Sequence, residues 1–385
     1  MKDQIKQQLI TIFDAAVKDV AGFNACYQSV TQGALADINF QPDLIIAVGK
    51  AASGMCAGVL SALEASSSKS LCPALVVTKY QHTDPQLAQY QNVTVIESAH
   101  PVPDDNSLLA GQALHEAVQS LPYNSQLLVL VSGGASSLAE SLPEQTSLAQ
   151  WQQLTNSMLS SGYNIGQINT VRKETSLIKD GKLLANFKGS AVQVLAISDV
   201  EGDDISVIGS GIGDTKRLNC NAAIHLIATN QVARNAAQRY ATDAGFTVIS
   251  NTETMYKDVQ LVSADIANCL LNAQAGVYIF GGEPTVVLPE NPGSGGRNQS
   301  LALSLAIAVK GTDNIHVLVA GTDGSDGPTD AAGGIINGHT ITDISKAEGH
   351  LKRADAGSLL RELQAIYITG PTNTNVMDLV IAIVE

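Results

Sequence analysis

The sequence has few basic residues and no cluster of them. It carries 22 lysines and arginines against 36 aspartates and glutamates, which gives a formal net charge of −14 at pH 7. Proteins bind nucleic-acid backbones through clustered Lys and Arg, so we expect no nucleic-acid partner. A small anionic ligand is compatible with this charge if a few cationic side chains and backbone N–H groups converge on it.

Paired cysteines and long apolar runs are also missing. The five cysteines are scattered and form no C-x-x-C pair, which predicts reduced core thiols, no zinc site and a cytoplasmic location. Polar residues interrupt the N-terminal segment, unlike the apolar core of a signal peptide. No apolar window reaches the length of about 18 residues that a membrane helix needs, so we expect no membrane association.

Aromatic residues make up only 4% of the chain, whereas apolar residues in total make up 45%. A core dominated by Ala, Val, Leu, Ile and Gly suits buried parallel strands packed against helices. A chain of 385 residues is too long for one ordinary core, so two domains are expected. The sequence leaves the oligomeric state open, a homodimer included.

Short apolar runs alternate with helix-length segments in the first half of the chain. This alternation is typical of βαβ units, and it predicts a Rossmann-like domain with a mainly parallel sheet. The runs lie at residues 43–49, 74–79, 93–98, 126–134 and 192–199.

A second series of apolar runs begins near residue 222, and residues 276–289 read as two tightly joined strands, which predicts a mixed sheet. We place the domains at residues 1–225 and 226–385. The amphipathic helix predicted at residues 3–20 could pack on either domain. The runs of the second series lie at residues 224–230, 246–250, 276–282, 283–289, 315–321, 366–370 and 378–384.

Glycine-rich and polar clusters follow many of these predicted strands. In open α/β sheets, ligands bind at the carboxyl ends of the strands. Two such edges facing each other would form a cleft with several loops on each side. We therefore expect two α/β domains with the active site in the interdomain cleft.

Two of these clusters, in the first domain, predict anion binding. In AVGKAASGM (residues 47–55), Lys50 lies where a helix begins, and a helix N-terminus attracts anions. The phosphate-binding spacing G-x-x-x-x-G-K-S/T is absent, and Gly49 and Gly54 could instead only allow close packing. LVSGGASSL (residues 130–138) could form a nest of N–H groups and hydroxyls, or a plain turn; it is not a G-x-S-x-G nucleophile elbow.

Three further clusters are rich in acidic residues or glycine. SDVEGDD (residues 198–204) could supply a general base or a Mg²⁺ ligand, or only cap a helix. GSGGRNQSLAL (residues 293–303) joins a glycine turn to Arg297 at a helix start, and FGGEPTV (residues 280–286) carries Glu283. GTDGSDGPTDAAGG (residues 321–334) is an acidic turn that could hold a cation or be fixed by Asx-turns. We interpret His100, in AHPVP, as a structural loop residue.

These clusters, in this order, resemble the type II glycerate kinases, a family whose second domain is called MOFRL. The resemblance runs from residue 47 to residue 379. It implies two α/β domains and transfer of a phosphoryl group from ATP, with Mg²⁺, to D-glycerate, giving 2-phospho-D-glycerate. Besides the clusters above, the matching stretches are SAHPVPD, VRK at residues 171–173 and GPTNTNVMDL at residues 370–379.

The resemblance also implies roles for individual residues. The catalytic residues would be Lys50, Asp203 and Arg297, and the metal would be held by Asp323 and Asp326. Those predicted to bind the acid are Ser132, Gly133, Gly134, Ala135, Ser136, Arg172 and Asp199. Those predicted to bind ATP are Gly281, Gly282, Glu283, Gly295, Gly296, Asn298, Gly321 and Thr322.

The chain departs from the pattern of the family at a few positions, and three other functions remain open. VRKE has Glu174 where the family usually has histidine, GSGI (residues 209–212) replaces ASGP, and GPTNTNVMD replaces GPTGTNVND. One alternative is an NAD(P)H-dependent hydroxypyruvate reductase, which would need a G-x-G-x-x-G turn. The others are a catalytically silent sugar-acid binding protein, which Glu174 suggests, and a scaffold protein, which so many glycine turns disfavour.

Overall fold

The chain forms two compact units in the computed structural model, which describes residues 3–35, 40–66, 71–161, 163 and 165–385. The parallel-sheet unit comprises Val20–Thr229 and Asn373–Asn375. The mixed-sheet unit comprises Met1–Asp19, Asn230–Thr372 and Val376–Glu385. The predicted boundary at residues 225 and 226 lies slightly before Asn230.

The described residues contain twelve α-helices and twelve strands. The helices are α1 (Asp3–Val20), α2 (Gly22–Thr31), α3 (Ala52–Ala65), α4 (Asp105–Gln119), α5 (Ala135–Leu138), α6 (Leu148–Ser160), α7 (Ile165–Thr175), α8 (Asn230–Asp243), α9 (Val259–Leu271), α10 (Arg297–Ala308), α11 (Ile344–Lys352) and α12 (Ala356–Glu362). The strands are β1 (Leu44–Val48), β2 (Ala74–Lys79), β3 (Val93–Ser98), β4 (Gln126–Val131), β5 (Ala191–Ile197), β6 (Asn221–Ala228), β7 (Val248–Glu253), β8 (Gly276–Gly282), β9 (Ile315–Gly321), β10 (Gly333–Asn337), β11 (Ile366–Tyr367) and β12 (Asp378–Val384).

The parallel-sheet unit has the strand order β3-β2-β1-β4-β5-β6, with every neighbouring pair parallel. This confirms the predicted parallel sheet. Strand β1 lies at the centre, where Ile46 is in register with Leu75 on one side and Val129 on the other. The chain order reverses between β1 and β4, and in such sheets ligands bind at that switch point.

One strand was assigned to the wrong domain. We expected residues 224–230 to begin the second series, but β6 pairs with β5 as the last strand of the parallel sheet. Its side chains are only partly buried along most of its length, as an edge strand allows. A run of apolar residues does not reveal which sheet a strand joins.

The mixed-sheet unit has the strand order β11-β10-β9-β12-β8-β7. Only β7 and β8 pair in parallel, so the prediction of a mixed sheet is confirmed. The predicted strand at residues 283–289 is wrong: it forms one isolated bridge at Thr285, and Val287 and Leu288 are exposed. Pro284 and Pro289 flank that segment, and proline cannot donate to a sheet ladder.

Helix α1 packs in the mixed-sheet unit although it begins the chain. Its predicted apolar face is buried, and Phe13 meets the ring of Tyr367 edge-on at 5.7 Å. Asp14 accepts a hydrogen bond from the hydroxyl of Tyr367. The first helix therefore completes a core whose other elements lie more than 200 residues later in the chain.

All five cysteines are free thiols, but only three are core residues. Cys26, Cys56 and Cys72 are buried, and burial raises the pKa of Cys72 to about 12. Cys220 is partly exposed and Cys269 is exposed, which corrects the prediction that all are in the core. Among the described helices, none has the length and apolar character needed to span a membrane.

Candidate active site

Two loops meet at the switch point of the parallel sheet, one after β1 and one after β4. The amide of Lys50 donates to the carbonyl of Gly133 at 2.9 Å, and the amide of Ala51 donates to the hydroxyl of Ser132 at 3.1 Å. These bonds join the two predicted anion-binding clusters. Lys50 is thereby placed beside the loop of residues 132–136.

Asp199, which follows β5, also reaches this loop. A Cβ atom at Gly133 would lie only 1.9 Å from Oδ2 of Asp199, so only glycine permits this approach. Asn375, from the short segment that belongs to this unit, has its amide nitrogen 3.5 Å from the same oxygen. The structure thus brings together Lys50, the loop and Asp199, all three of which are predicted site residues.

A cluster of positive side chains surrounds His100 next to the loop. A Cβ atom at Gly134 would lie 3.0 Å from Cγ of Lys50 and 3.2 Å from Cδ2 of His100. Burial, and after it the charges of Lys50, Lys79 and Arg172, lower the pKa of His100 to about 3. At neutral pH His100 is therefore an uncharged ring among cations, an arrangement that favours an anionic ligand.

We interpreted His100 as a structural loop residue, and the structure places it beside Lys50 and Gly134. It follows β3 closely, at the same sheet edge as Lys50 and Gly133. Arg172, from α7, is 9% exposed, and burial lowers its pKa. Ala135, also predicted to bind substrate, is fully buried at the start of α5 and can contribute only backbone groups.

Asp203 adopts a strained backbone conformation. Its φ angle is +54°, in a turn that follows β5. A non-glycine residue in this region costs free energy, and such residues cluster at active sites. Asp203, the predicted catalytic aspartate, is partly exposed.

A buried ion pair supports the end of the loop. Nζ of Lys179 lies 2.6 Å from Oε2 of Glu140, and both side chains are fully buried. Oε1 of Glu140 accepts a bond from the hydroxyl of Ser176 at 2.5 Å. Since Glu140 follows α5 closely and Ser176 follows α7, the pair ties the loop to the helix that carries Arg172.

Ser136 is the outermost member of a chain of hydrogen bonds in this unit. Its hydroxyl lies 2.8 Å from that of Ser210, which donates to Oδ1 of Asn169 at 2.9 Å. Ser210 is fully buried, Asn169 is nearly so, and Ser136 is partly exposed. Ser136 therefore connects the partly exposed loop to buried polar groups.

In the mixed-sheet unit, the amides at the start of α10, which follow the predicted glycine turn, are capped by a carboxylate of the protein itself. Asp326 accepts bonds from the amides of Asn298 at 3.0 Å and Gln299 at 2.8 Å, and from the side chain of Gln299 at 2.9 Å. A Cβ atom at Gly296 would lie 2.3 Å from Oδ1 of Asp326. Gly295 packs near the amide of Gly357 at the start of α12. These contacts explain both glycines without a nucleotide.

Asp326 is consequently poorly placed as a metal ligand. It is 3% exposed, and burial raises its pKa to about 6 although the donors around it favour the ionised form. Because both oxygens already accept N–H bonds, the structure favours a capping role for Asp326 over the predicted metal role. The described residues contain no group of three or more His, Cys, Asp or Glu side chains suited to hold a metal.

Arg297 is an ion-paired residue in this structure. Nε lies 2.6 Å from Oδ2 of Asp378, Nη2 lies 3.1 Å from Oδ1 of Asp378, and Nη1 lies 2.9 Å from Oε1 of Glu283. The carboxylate of Asp378 is 1% exposed, whereas that of Glu283 is 43% exposed. These carboxylates raise the pKa of Arg297 despite its burial. Asp378 lies in the stretch of residues 370–379 that matches the family, but the sequence alone assigned it no role.

Gly321, Asp323 and Asn298 lie close together beside this ion pair. A Cβ atom at Gly321 would lie 3.3 Å both from Nδ2 of Asn298 and from Oδ1 of Asp323. Oδ1 of Asp323 accepts from the amide of Ser325 at 2.9 Å. The side chain of Asp323 is partly exposed, and a carboxylate with such access suits Mg²⁺, which keeps several waters.

The side chain of Asn298 has a buried oxygen acceptor that no described residue uses. Its Oδ1 is buried and has no hydrogen-bond partner among the described residues, while its Nδ2 donates to Asp378 at 2.9 Å. A buried acceptor without a donor costs free energy, so a donor from a ligand or a metal-bound water would fit it. A carboxylate and an unpartnered amide oxygen, Asp323 and Asn298, thus fit a hydrated Mg²⁺.

Other predicted nucleotide-binding residues are used within the fold. The hydroxyl of Thr322 donates to the carbonyl of Met377 at 2.7 Å and accepts from the amide of Val376 at 2.8 Å. Gly281 lies directly against the side chain of Asn230, and Gly282 ends β8. These contacts give all three residues a structural explanation.

Comparisons with known proteins agree with this architecture. Residues 8–242 match a family model described as a domain of unknown function, DUF4147, and residues 276–378 match the MOFRL family. The chain is 35% identical to a D-glycerate 2-kinase of Thermotoga maritima, over 91% of this chain and 92% of that protein. The chain belongs to the MOFRL family of glycerate kinases. Human glycerate kinase is 28% identical over 76% of this chain and 74% of its own.

A solved member of the family has the same fold. The crystal structure of a glycerate kinase from Thermotoga maritima matches with a TM-score of 0.87 at 32% identity, and covers 100% of both chains. Glu174, one of the departures from the pattern of the family, is exposed, whereas Arg172 on the same helix is buried. The substitution therefore faces solvent rather than the environment of Arg172.

Proposed function

We propose that this protein phosphorylates the 2-hydroxyl of D-glycerate with ATP, giving 2-phospho-D-glycerate. The observation that carries the proposal is the cluster of Lys50, Lys79 and Arg172 around the uncharged His100, in a protein whose net charge is −14. This local excess of positive charge, at the switch point of a parallel sheet, suits a small anionic acid. The named activities of its relatives agree with it.

The parallel-sheet unit would bind the acid. Lys50 and Arg172 would neutralise the carboxylate and the charge that develops in the transition state, since phosphoryl transfer depends on positioning and electrostatic stabilisation. The amides and hydroxyls of residues 132–136 would orient the molecule. Asp203 would accept the proton of the attacking hydroxyl.

The mixed-sheet unit would bind the phosphoryl donor. Asp323, with Asn298 beside it, would hold Mg²⁺ largely through waters. The metal would supply positive charge on the phosphate oxygens. Asp378 holds two nitrogens of Arg297 from the buried side, whereas Nη1 faces the more exposed Glu283 and is the part that a phosphate oxygen could reach.

One structural observation favours the reductase alternative, and one feature of the sequence opposes it. The order β3-β2-β1-β4-β5-β6 is the strand order of dinucleotide-binding sheets. The turn after β1, however, has Ala51 where the second glycine of G-x-G-x-x-G would let a pyrophosphate approach. Oxidation of NADH by hydroxypyruvate in the presence of the enzyme would restore this alternative.

The decisive experiment follows two products in one reaction. The protein is mixed with Mg-ATP and D-glycerate, ADP is measured with one coupling system, and 2-phosphoglycerate is measured with enolase. Both signals, dependent on the acid, are expected. Release of ADP without an enolase signal would contradict the proposed position of phosphorylation, and silence in both would contradict the activity.

We also infer a cytoplasmic location, since all five thiols are free.

A further inference from the structure

The hydrogen-bond chain Ser136–Ser210–Asn169 has a defined direction. A serine hydroxyl has one proton to donate. Ser210 donates its proton to Oδ1 of Asn169, a carbonyl oxygen that can only accept. In the bond between the two serines, Ser210 therefore offers only a lone pair, and Ser136 must be the donor. The single proton of Ser136 is thus directed into the protein.

The backbone and side chain of Ser210 are fixed by their surroundings. Its φ angle is +55°, a left-handed conformation that is unusual for serine. Its carbonyl accepts from the amide of Asp180 at 3.0 Å, and its own amide donates to Val207 at 2.9 Å. The side chain is fully buried, so its hydroxyl cannot turn to water for another partner.

We propose that Ser210 and Asn169 are positioning residues that make Ser136 a hydrogen-bond acceptor for a hydroxyl of the substrate. This inference rests on the proposed function. The carboxylate of the acid has only lone pairs to offer and would repel the hydroxyl oxygen of Ser136. The carboxylate is therefore expected beside Lys50 and Arg172. The 2-hydroxyl gives its proton to Asp203, and the group left for Ser136 is the 3-hydroxyl of the acid. The site would therefore select 2,3-dihydroxy acids over simple 2-hydroxy acids.

The test compares D-glycerate with D-lactate, which differs only in lacking the 3-hydroxyl. Binding of each is measured by calorimetry without nucleotide. The wild-type protein is expected to bind D-glycerate about tenfold more tightly or better, as one hydrogen bond of ordinary strength provides. Ser136→Ala should reduce this ratio to within about twofold by weakening only the binding of D-glycerate.

Ser210→Gly is the critical variant. Glycine suits the left-handed backbone at this position, so the fold is preserved while the hydroxyl is removed. The ratio should again fall to within about twofold, because Ser136 is then free to turn its proton outward. Ser137→Ala is the matched control: the hydroxyl of Ser137 donates to the carbonyl of Gly134 at 3.3 Å, in the same short helix. It should keep the wild-type ratio.

The outcomes separate this inference from the proposed function. If the wild-type protein binds D-glycerate and Ser210→Gly keeps the same ratio, the positioning role is wrong and the kinase proposal stands. Equal binding of D-glycerate and D-lactate by the wild-type protein would likewise contradict the positioning role and leave the kinase proposal standing. If D-glycerate does not bind to the wild-type protein at all, both proposals are wrong. A loss of affinity for both acids in Ser210→Gly would indicate a merely structural role and would also overturn the inference.

Discussion

Lys50 owes its position to backbone contacts that no local pattern specifies. Its amide is bonded to Gly133, a residue that lies more than 80 positions away in the chain. The sequence indicated a lysine at a helix start, but only the neighbouring loop shows which groups it faces. Its side chain packs over Gly134 beside His100.

Replacing Lys50 by alanine should lower kcat by about 10²–10³, because it removes a charge that stabilises the transition state. Steady-state kinetics with D-glycerate and Mg-ATP measure the effect. Lys257→Ala is the control, since Lys257 is exposed and pairs with Asp265. Activity of Lys50→Ala within threefold of the wild type would exclude this role for Lys50.

His100 should make the protein sensitive to acid. Its pKa is about 3 in the folded chain against an ordinary value of 6.5, so between these values the unfolded chain binds a proton that the folded chain does not. The stability that depends on its uncharged ring is present above pH 6.5 and is lost as the pH falls toward 3. His100→Asn should lose less stability than the wild type over that range.

Urea unfolding at several pH values tests this prediction. His339→Gln provides the control, since the side chain of His339 is 62% exposed. Parallel stability curves for the wild type and His100→Asn would show that His100 titrates normally in the folded chain.

At the scale of elements, the start of α10 shows how one carboxylate can replace a ligand. The glycine turn before Arg297 resembles an anion site, and the structure fills it with Asp326. A helix N-terminus favours any negative group, whether it belongs to a ligand or to the protein. The sequence could not decide between them, because Asp326 lies almost 30 residues from the amides that it caps.

Replacement by asparagine should have different effects at Asp323 and at Asp326. Asp323→Asn should lower kcat by about tenfold or more, since it weakens a Mg²⁺ ligand, and added Mg²⁺ should restore part of the activity. Asp326→Asn should mainly lower stability, by about 0.5–2 kcal/mol as for a lost helix cap. Kinetics across a Mg²⁺ titration and urea unfolding separate the effects. A stable, inactive Asp326→Asn protein would instead support the original metal prediction.

The buried ion pair of Lys179 and Glu140 connects the segment after α5 to the segment after α7, and so supports the loop of residues 132–136. Lys179→Met leaves a buried carboxylate without its cation, and should destabilise the protein by about 3–5 kcal/mol. Adding Glu140→Gln to Lys179→Met should recover much of that loss, because the amide keeps an acceptor and removes the charge. Urea unfolding of the single and double variants measures this. A double variant as unstable as the single one would show that charge is not the cause.

At the scale of the whole molecule, the first helix belongs to the unit formed by the end of the chain. Leu9 and Phe13 are 0% exposed in that unit, and burial of each such side chain contributes about 1.5–3 kcal/mol. A fragment of residues 230–385 should therefore be poorly folded by itself. Supplying residues 1–20 by fusion should restore a cooperative thermal transition. Cooperative unfolding of the fragment alone would contradict this assignment.

The sequence by itself determined where most strands form and which loops carry the reactive side chains. Apolar runs of strand length predicted most strands, since burial on both faces requires such runs. The glycine and polar clusters after β1 and β4 identified the loops that meet Lys50, because the carboxyl ends of parallel strands share one edge. The exceptions are local: the prolines around residues 283–289 interrupt a strand pattern, and β10 was not predicted.

Only the tertiary structure decided which groups are free to act. It placed β6 in the first sheet and α1 in the second unit, since pairing over long separations depends on shape that no local window contains. It paired Arg297 with Asp378, and it surrounded His100 with cations. Whether a charged side chain meets a ligand or a partner within the protein depends on distances and burial, and these arise only when distant segments pack together.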